Sequence, residues 1–234
     1  VTRTLLGVWA HPDDETFLSS GLLLDARARG DRVVLVTATR GEHGTDDPAR
    51  WPPDRLGAHR ARELDAALAV LGVTEHRWLG YTDGTCPLVP ERTAAERIAA
   101  IVDEIGPDTI VTFGPDGVTG HADHRAVGRW ARRAWRAAAP GATLLEAVLP
   151  RGFARRFAEI NETFGVFMDG PAPEVEADLH LRLDGERLDR KIAAMLAQDS
   201  QTRRLVEGVG LATFRSWWAE EAFVRRTLAG AQAA

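Results

Sequence analysis

The sequence predicts an α/β fold with a mostly parallel sheet and helices on both of its faces. Three observations carry this. Short continuous apolar runs recur along the first half, longer helical stretches separate them, and glycine or proline punctuates the junctions.

Leu5 to Ala10 is a continuous apolar run and reads as a strand buried on both faces. The stretch "PDDETFLSSGLLLDARARG" follows, with Pro12 and the acids where a helix N-terminus favours them and Gly30 where a helix stops. Arg32 to Thr39 is a second buried strand. "RLGAHRARELDAALAVLG" is helical, and "HRWLGY" after it reads as a third strand. "AAERIAAIVDEIG" repeats the helical pattern, followed by the strand "DTIVTFG" and the helix "HADHRAVGRWARRAWRAAA". Such alternation implies βαβ units, and right-handed crossovers then give a Rossmann-like three-layer arrangement.

After about Pro150 the texture changes. "NETFGVFMDGPAPE", residues 161–174, sets aromatics among Gly and Pro, as a mobile lid does; a surface loop packing them inward is an equal reading. "VEADLHLRL" alternates apolar and polar residues, which fits a half-exposed strand with His180 on the wet face. Two helices, about Glu186 to Ala197 and Ala212 to Leu228, are expected to close the chain.

The 234 residues suit one domain spanning 1–234, and their 44% hydrophobic and 27% charged make-up is ordinary for a globular protein. A net charge of −5 argues against a nucleic-acid partner. The single cysteine, Cys86, rules out an internal disulfide framework and fits a reducing compartment; it reads as packed rather than nucleophilic. No window has the length of a membrane span, and Leu5 to Ala10 is too short for a signal segment. The expectation is a cytoplasmic, soluble protein acting on a small molecule, with homo-oligomerisation left open.

No G-x-G-x-x-G follows the first strand, and P-loop, G-x-S-x-G, H-E-x-x-H and C-x-x-C patterns are missing too. The layout therefore does not imply a dinucleotide. The informative clusters are His11-Pro12-Asp13-Asp14 after the first strand and "GPDGVTGHADH", Gly114 to His124, after "DTIVTFG". In open parallel sheets, ligands sit beyond the carboxyl ends of strands. His11 and Asp14 are three apart, as are His121 and His124, so each pair can share one face of a first helical turn. Two histidines and a carboxylate make a catalytic zinc shell with one position open to water, which assigns His11, Asp14 and His124 as ligands. Either cluster alone reads better as a helix cap or a solvated helix start. Together, with complementary ligand types, they favour a metal.

"AHPDDE" and "GPDGVTGHADH" resemble the two signature motifs of the LmbE/PIG-L family of zinc-dependent N-acetylglucosaminyl deacetylases. "TRGEHG", "HRARELDAALAVLG", "LGYTDG" and "KIAAMLAQDSQ" resemble further family segments in the family's order, so the likeness extends over most of the chain. The resemblance implies zinc on His11, Asp14 and His124, with another divalent ion such as Fe2+ as the alternative. It implies Asp13 as general base, His121 as an oxyanion stabiliser and Asp123 as the group orienting a histidine. Glu42, Arg60 and Asp83 match positions that contact sugar hydroxyls or frame the pocket. Two departures stand out: Ala122 replaces a common proline, and Gln198 stands where many members have a histidine.

The chemistry is consistent with that set. Zinc brings water to a pKa of about 7 and polarises a carbonyl. Asp13 can accept the water's proton and pass it to the leaving amine, and a protonated His121 can steady the tetrahedral oxyanion. The expected activity is hydrolysis of an N-acyl, chiefly N-acetyl, group from an amino sugar or its conjugate. The alternatives are a zinc amidase acting on a thiol–sugar conjugate or antibiotic sugar, and a catalytically idle sugar-binding protein. Trp130, Trp135, Trp217 and Trp218 sit at helix-like spacings and read as core or interface rather than sugar platforms.

Overall fold

A computed structural model describes residues 2–170 and 173–228. Strand β1 (Thr4–Trp9) leads into helix α1 (Asp14–Ala28), then β2 (Arg32–Thr37), α2 (Pro53–Leu71) and β3 (Glu75–Trp78). A 3-10 turn at Cys86–Leu88 precedes α3 (Glu91–Ile105), β4 (Thr109–Phe113), α4 (Ala122–Ala138) and β5 (Thr143–Val148). The rest comprises α5 (Phe153–Arg156), α6 (Ala158–Thr163), β6 (Leu179–Arg182), α7 (Gly185–Leu196), α8 (Asp199–Val209), α9 (Leu211–Trp217) and β7 (Glu220–Arg226).

The seven strands form one sheet in the order β3-β2-β1-β4-β5-β7-β6. The first five run parallel, while β7 is antiparallel to both β5 and β6. Helices α1, α2 and α7 pack together, and α3 packs on α4. This division follows from right-handed crossovers running outward from β1 in one direction and from β4 in the other. The helix limits match local signals: Pro53 opens α2, and Gly72, in the left-handed conformation, closes it. The main core lies on both sides of the sheet and takes in Leu6, Val8, Trp9, Val34, Val36, Val111, Trp130 and Trp135.

A second apolar cluster gathers Phe153, Ile192, Met195, Phe214, Trp217 and Trp218, all from beyond Pro150. One buried ion pair ties this half to α1. Lys191 Nζ lies 2.8 Å from Glu221 Oε1 and donates to the Phe17 carbonyl at 2.8 Å. Glu221 in turn accepts the N–H groups of Gly21 and Leu22. The pair thus serves both ends of the Phe17-to-Gly21 helical step, and both side chains are fully buried.

One expectation changes. Ala212 to Leu228 is not one helix: α9 ends at Trp217 and β7 follows, because Glu220 and Glu221 find charged partners on α5 and α7, and Arg226 finds Glu146 on β5, instead of water. Strand β5 and helices α5, α6 and α8 are elements that the sequence patterns do not show. The 161–174 stretch follows the inward-packing reading, with Phe164, Val166 and Phe167 against the second cluster. Pro171 and Ala172 of that stretch lie outside the described residues. Among the described residues, no helix is long and apolar enough to cross a membrane.

Candidate metal centre

Strands β1 and β4 are neighbours, yet β1 continues to β2 on one side and β4 to β5 on the other. The order of the sheet reverses there, and the crevice beyond such carboxyl ends is where open α/β sheets bind ligands. His11 to Asp14 leave β1 into this crevice, and His121 to His124 enter it after β4.

Three donors converge. His11 Nδ1 is 3.2 Å from His124 Nε2, His124 Nε2 is 3.2 Å from Asp14 Oδ1, and His11 Nδ1 is 3.8 Å from Asp14 Oδ2. A tetrahedral ion with ligands at about 2.0–2.1 Å needs donors about 3.3 Å apart, which both contacts of His124 Nε2 meet; the His11–Asp14 contact is to Oδ2, the other carboxylate oxygen. The opposite ring atoms are also committed. His11 Nε2 faces Asp83 Oδ1 at 3.0 Å and Asp123 Oδ2 at 3.3 Å, and His124 Nδ1 meets the Gly117 carbonyl at 2.9 Å. Those acceptors fix the tautomers that leave Nδ1 of His11 and Nε2 of His124 as lone pairs. Asp14 Oδ2 accepts the N–H groups of Ala10 and His11, which turns Oδ1 toward His124. The donor set therefore fits a divalent ion. His121 also brings a nitrogen within 4.8 Å of donors on His11 and His124, and His11, Asp83 and Asp123 form a second such group.

The electrostatics agree. Burial lowers the pKa of His11, but Asp123, Asp83 and Asp14 outweigh it and raise the group to about 10. The carboxylates favour positive charge here, carried by a second proton on His11 or, in that proton's place, by an ion at Nδ1. Burial lowers His124 to about 4.

Asp13 sits at φ 112°, a strained region for a non-glycine residue. Its N–H donates to Glu15 Oε2, and its carbonyl accepts from Thr16 and Phe17 at the first turn of α1. Burial raises the Asp13 carboxyl to about 7 against the pull of Arg60, whose Nη2 lies 3.0 Å from Oδ2. Gln198, the departure from the family histidine, is buried and donates to Glu15 Oε1 at 2.7 Å while accepting from the Thr16 hydroxyl. It braces the turn that holds Asp13. Burial lowers His121 as well, followed by the effect of His11, and its Nδ1 accepts the Asp123 N–H. With Nδ1 engaged as an acceptor, Nε2 is the His121 nitrogen left to present a proton to the cavity.

The three residues expected at the sugar differ in placement. Arg60 and Asp83 line the cavity beside the donors, although Arg60 also holds the Gly41 and Pro12 carbonyls. Glu42 is not among the lining residues; its carboxylate accepts the N–H groups of Arg40 and Asp83 and so braces the Asp83 loop. Asp123 is fully buried and accepts from Gly84 and Cys86 in addition to facing His11. Burial pushes the Cys86 thiol up, which suits a packed cysteine. Gly117 is required beside the centre: it has φ 75°, and a Cβ there would meet His124 Cβ at 2.9 Å. Sequence reasoning missed Glu15 and the Gly117 carbonyl, although the three successive acids after Pro12 were a visible signal for the first.

Fold and candidate site together describe an α/β protein in which histidines and carboxylates converge at the switch point of its sheet. Residues 6–135 match the PIG-L family, described as GlcNAc-PI de-N-acetylase, and the chain belongs to that family. It is 41% identical over 154 residues to a 1D-myo-inositol 2-acetamido-2-deoxy-alpha-D-glucopyranoside deacetylase 2 of Catenulispora acidiphila, covering 56% of this chain and 51% of that protein. A deacetylase of the same description from Streptomyces avermitilis is 37% identical over 214 residues, covering 82% of this chain and 70% of that protein. The match thus spans from about half to about two thirds of these relatives' lengths. The N,N'-diacetylchitobiose deacetylase of Pyrococcus horikoshii shares the fold, with a TM-score of 0.68 and 21% identity over 96% of this chain and 84% of that one.

Proposed function

We propose that this protein is a metal-dependent hydrolase that removes an N-acyl group, chiefly acetyl, from an amino sugar or its conjugate. The observation that carries the reading is the convergence of His11, Asp14 and His124, with His124 Nε2 3.2 Å from both His11 Nδ1 and Asp14 Oδ1 and Asp13 lining the same cavity. His11, Asp14 and His124 would hold the ion, with zinc the first choice and Fe2+ the alternative. When bound, such an ion supplies Lewis acidity that polarises a carbonyl and acidifies water.

The protein's own groups do the rest. Asp13 takes the proton of the attacking water on its carboxylate and delivers it to the departing nitrogen, so that carboxylate and free amine leave. Arg60 holds that carboxylate in place through Nη2 at 3.0 Å. His121, with its proton on Nε2, offers a donor to the carbonyl oxygen as charge builds there. Asp123 and Asp83 keep the His11 ring turned. The polar side of the cavity, where Arg60, Asp83, Gly44 and Gln201 lie, takes the sugar, and Glu42 supports it from behind. A cytoplasmic setting and a single working domain complete the proposal.

The test combines metal analysis of the purified protein with a free-amine assay on N-acetylglucosamine compounds. Asp13→Asn should keep the metal and lose at least about 100-fold in kcat, the usual scale of a general base. Full turnover by Asp13→Asn, or metal-free protein that is fully active, overturns the reading.

A further inference from the structure

The cavity that contains the metal donors is about 390 Å³, within the range of small-molecule sites. Its two sides differ in chemistry. One carries the donors with Arg60 and Asp83. The other is built from Phe17, Leu149, Phe153, Val166, Leu205 and Trp218 with their neighbours, and eleven of the 22 lining residues are apolar side chains. Between Leu149 and Met168 every lining residue is apolar or glycine. A polyol set against this wall would lose water and find no partner for its hydroxyls.

The wall is also held in shape. Phe17 meets Trp218 edge-on at 4.5 Å, and Trp217 lies 4.8 Å from Trp218. Trp217 Nε1 donates to Asn161 Oδ1, and the Met168 N–H donates to the Thr119 carbonyl beside His121. Rings locked in this way bind an apolar group with little ordering cost. Met168, at the rim, is 62% exposed.

We propose that the substrate carries an alkyl or aromatic group joined to its N-acyl amino sugar, and that the half-buried wall of Phe17, Leu149, Val166 and Leu205, backed by the buried Phe153 and Trp218, binds it. This rests on the deacetylase reading and narrows it: a bare polyol aglycone, such as the inositol in the relatives' names, is not what this wall fits. The apolar group has two possible sources, a longer acyl chain on nitrogen or the aglycone on the anomeric carbon.

Two ligand series separate them. Initial rates are measured on acetyl, butanoyl, hexanoyl and octanoyl glucosamine, and dissociation constants for methyl, hexyl and octyl glucosides by titration calorimetry. Asp13→Asn protein supplies the corresponding constants for the acyl series. One series should improve about two- to fourfold per methylene, given about 0.8 kcal/mol for each CH2 buried. Leu205→Gln and Met168→Gln, at half-buried and exposed positions, should flatten that slope. The slope is a ratio within each protein, so a change in folded fraction does not move it. Flat responses in both series, or slopes unaffected by both variants, overturn the proposal. Turnover with flat slopes overturns it alone; chain-dependent binding with no turnover of any N-acyl glucosamine supports the wall as an apolar binding surface, but overturns the deacetylase reading and with it the N-acyl amino-sugar part of the proposal.

Discussion

Asp123→Asn separates orientation of the metal site from ligation. The carboxylate is fully buried and has three donors to satisfy: Gly84 N–H at 2.7 Å and His11 at 3.3 Å on Oδ2, and Cys86 N–H at 3.1 Å on Oδ1. Asparagine has one acceptor oxygen. If that oxygen stays with Gly84 and His11, the new NH2 faces the Cys86 N–H and leaves a buried donor unpaired, which costs about 1–3 kcal/mol of stability. His11 meanwhile loses a negative partner but keeps Asp83 Oδ1 at 3.0 Å on the same nitrogen. Metal affinity should therefore fall about 10- to 100-fold, the scale seen when a group orienting a ligand histidine is removed, while His11→Ala should lose far more. Asp83→Asn should behave similarly. The double variant should lose more than the sum of the singles, because each carboxylate covers for the other. Competition against a chelating indicator reads these affinities. Unchanged affinity in Asp123→Asn, or a loss equal to that of His11→Ala, would refute the orienting role.

Lys191→Met should strand Glu221 inside the protein and cost about 3–5 kcal/mol. For a chain of this size that is a fall in Tm of about 6–20 °C; a shift under 2 °C in thermal melts would contradict it. Burial depresses His76 to about 4, so the unfolded chain binds more protons between that value and about 6.5, and stability is lost as pH falls through this window. From pH 7 to 5 the loss is about 2 kcal/mol, and urea melts of His76→Gln should show that much less pH dependence than wild type. Chelation should abolish turnover yet leave far-UV circular dichroism unchanged, since the main core does not involve the donor residues; cooperative unfolding on chelation would mean that the metal is structural.

The legible parts of this protein were those in which neighbours in sequence are also neighbours in chemistry. His11 and Asp14 lie on one turn, and His121 and His124 on another, so two short motifs carried the donor triangle. The buried parallel strands β1, β2 and β4 announced themselves as apolar runs because both faces are covered. What stayed hidden depends on partners far along the chain. Glu146 puts a charge in the middle of β5, and only Arg132 from α4 and Arg226 from β7 make it tolerable there. Glu221 needs Lys191, thirty residues away, and Glu220 needs Arg156 and His180. Each of these charges looks like a solvated helix face when read alone, which is why 212–228 gave a helical pattern and β5 gave none. The same reason hid the apolar wall. Phe17, Phe153, Leu205 and Trp218 come from four separate segments, and each is unremarkable in its own. Phe17 is the link between the two halves, because the N-terminus of α1 sets Asp13 and Asp14 at the candidate donor cluster and Phe17 against Trp218 one turn later. The Lys191–Glu221 pair grips α1 at that point. The ion pair that stabilises the C-terminal half therefore also fixes where the apolar wall stands relative to the metal donors.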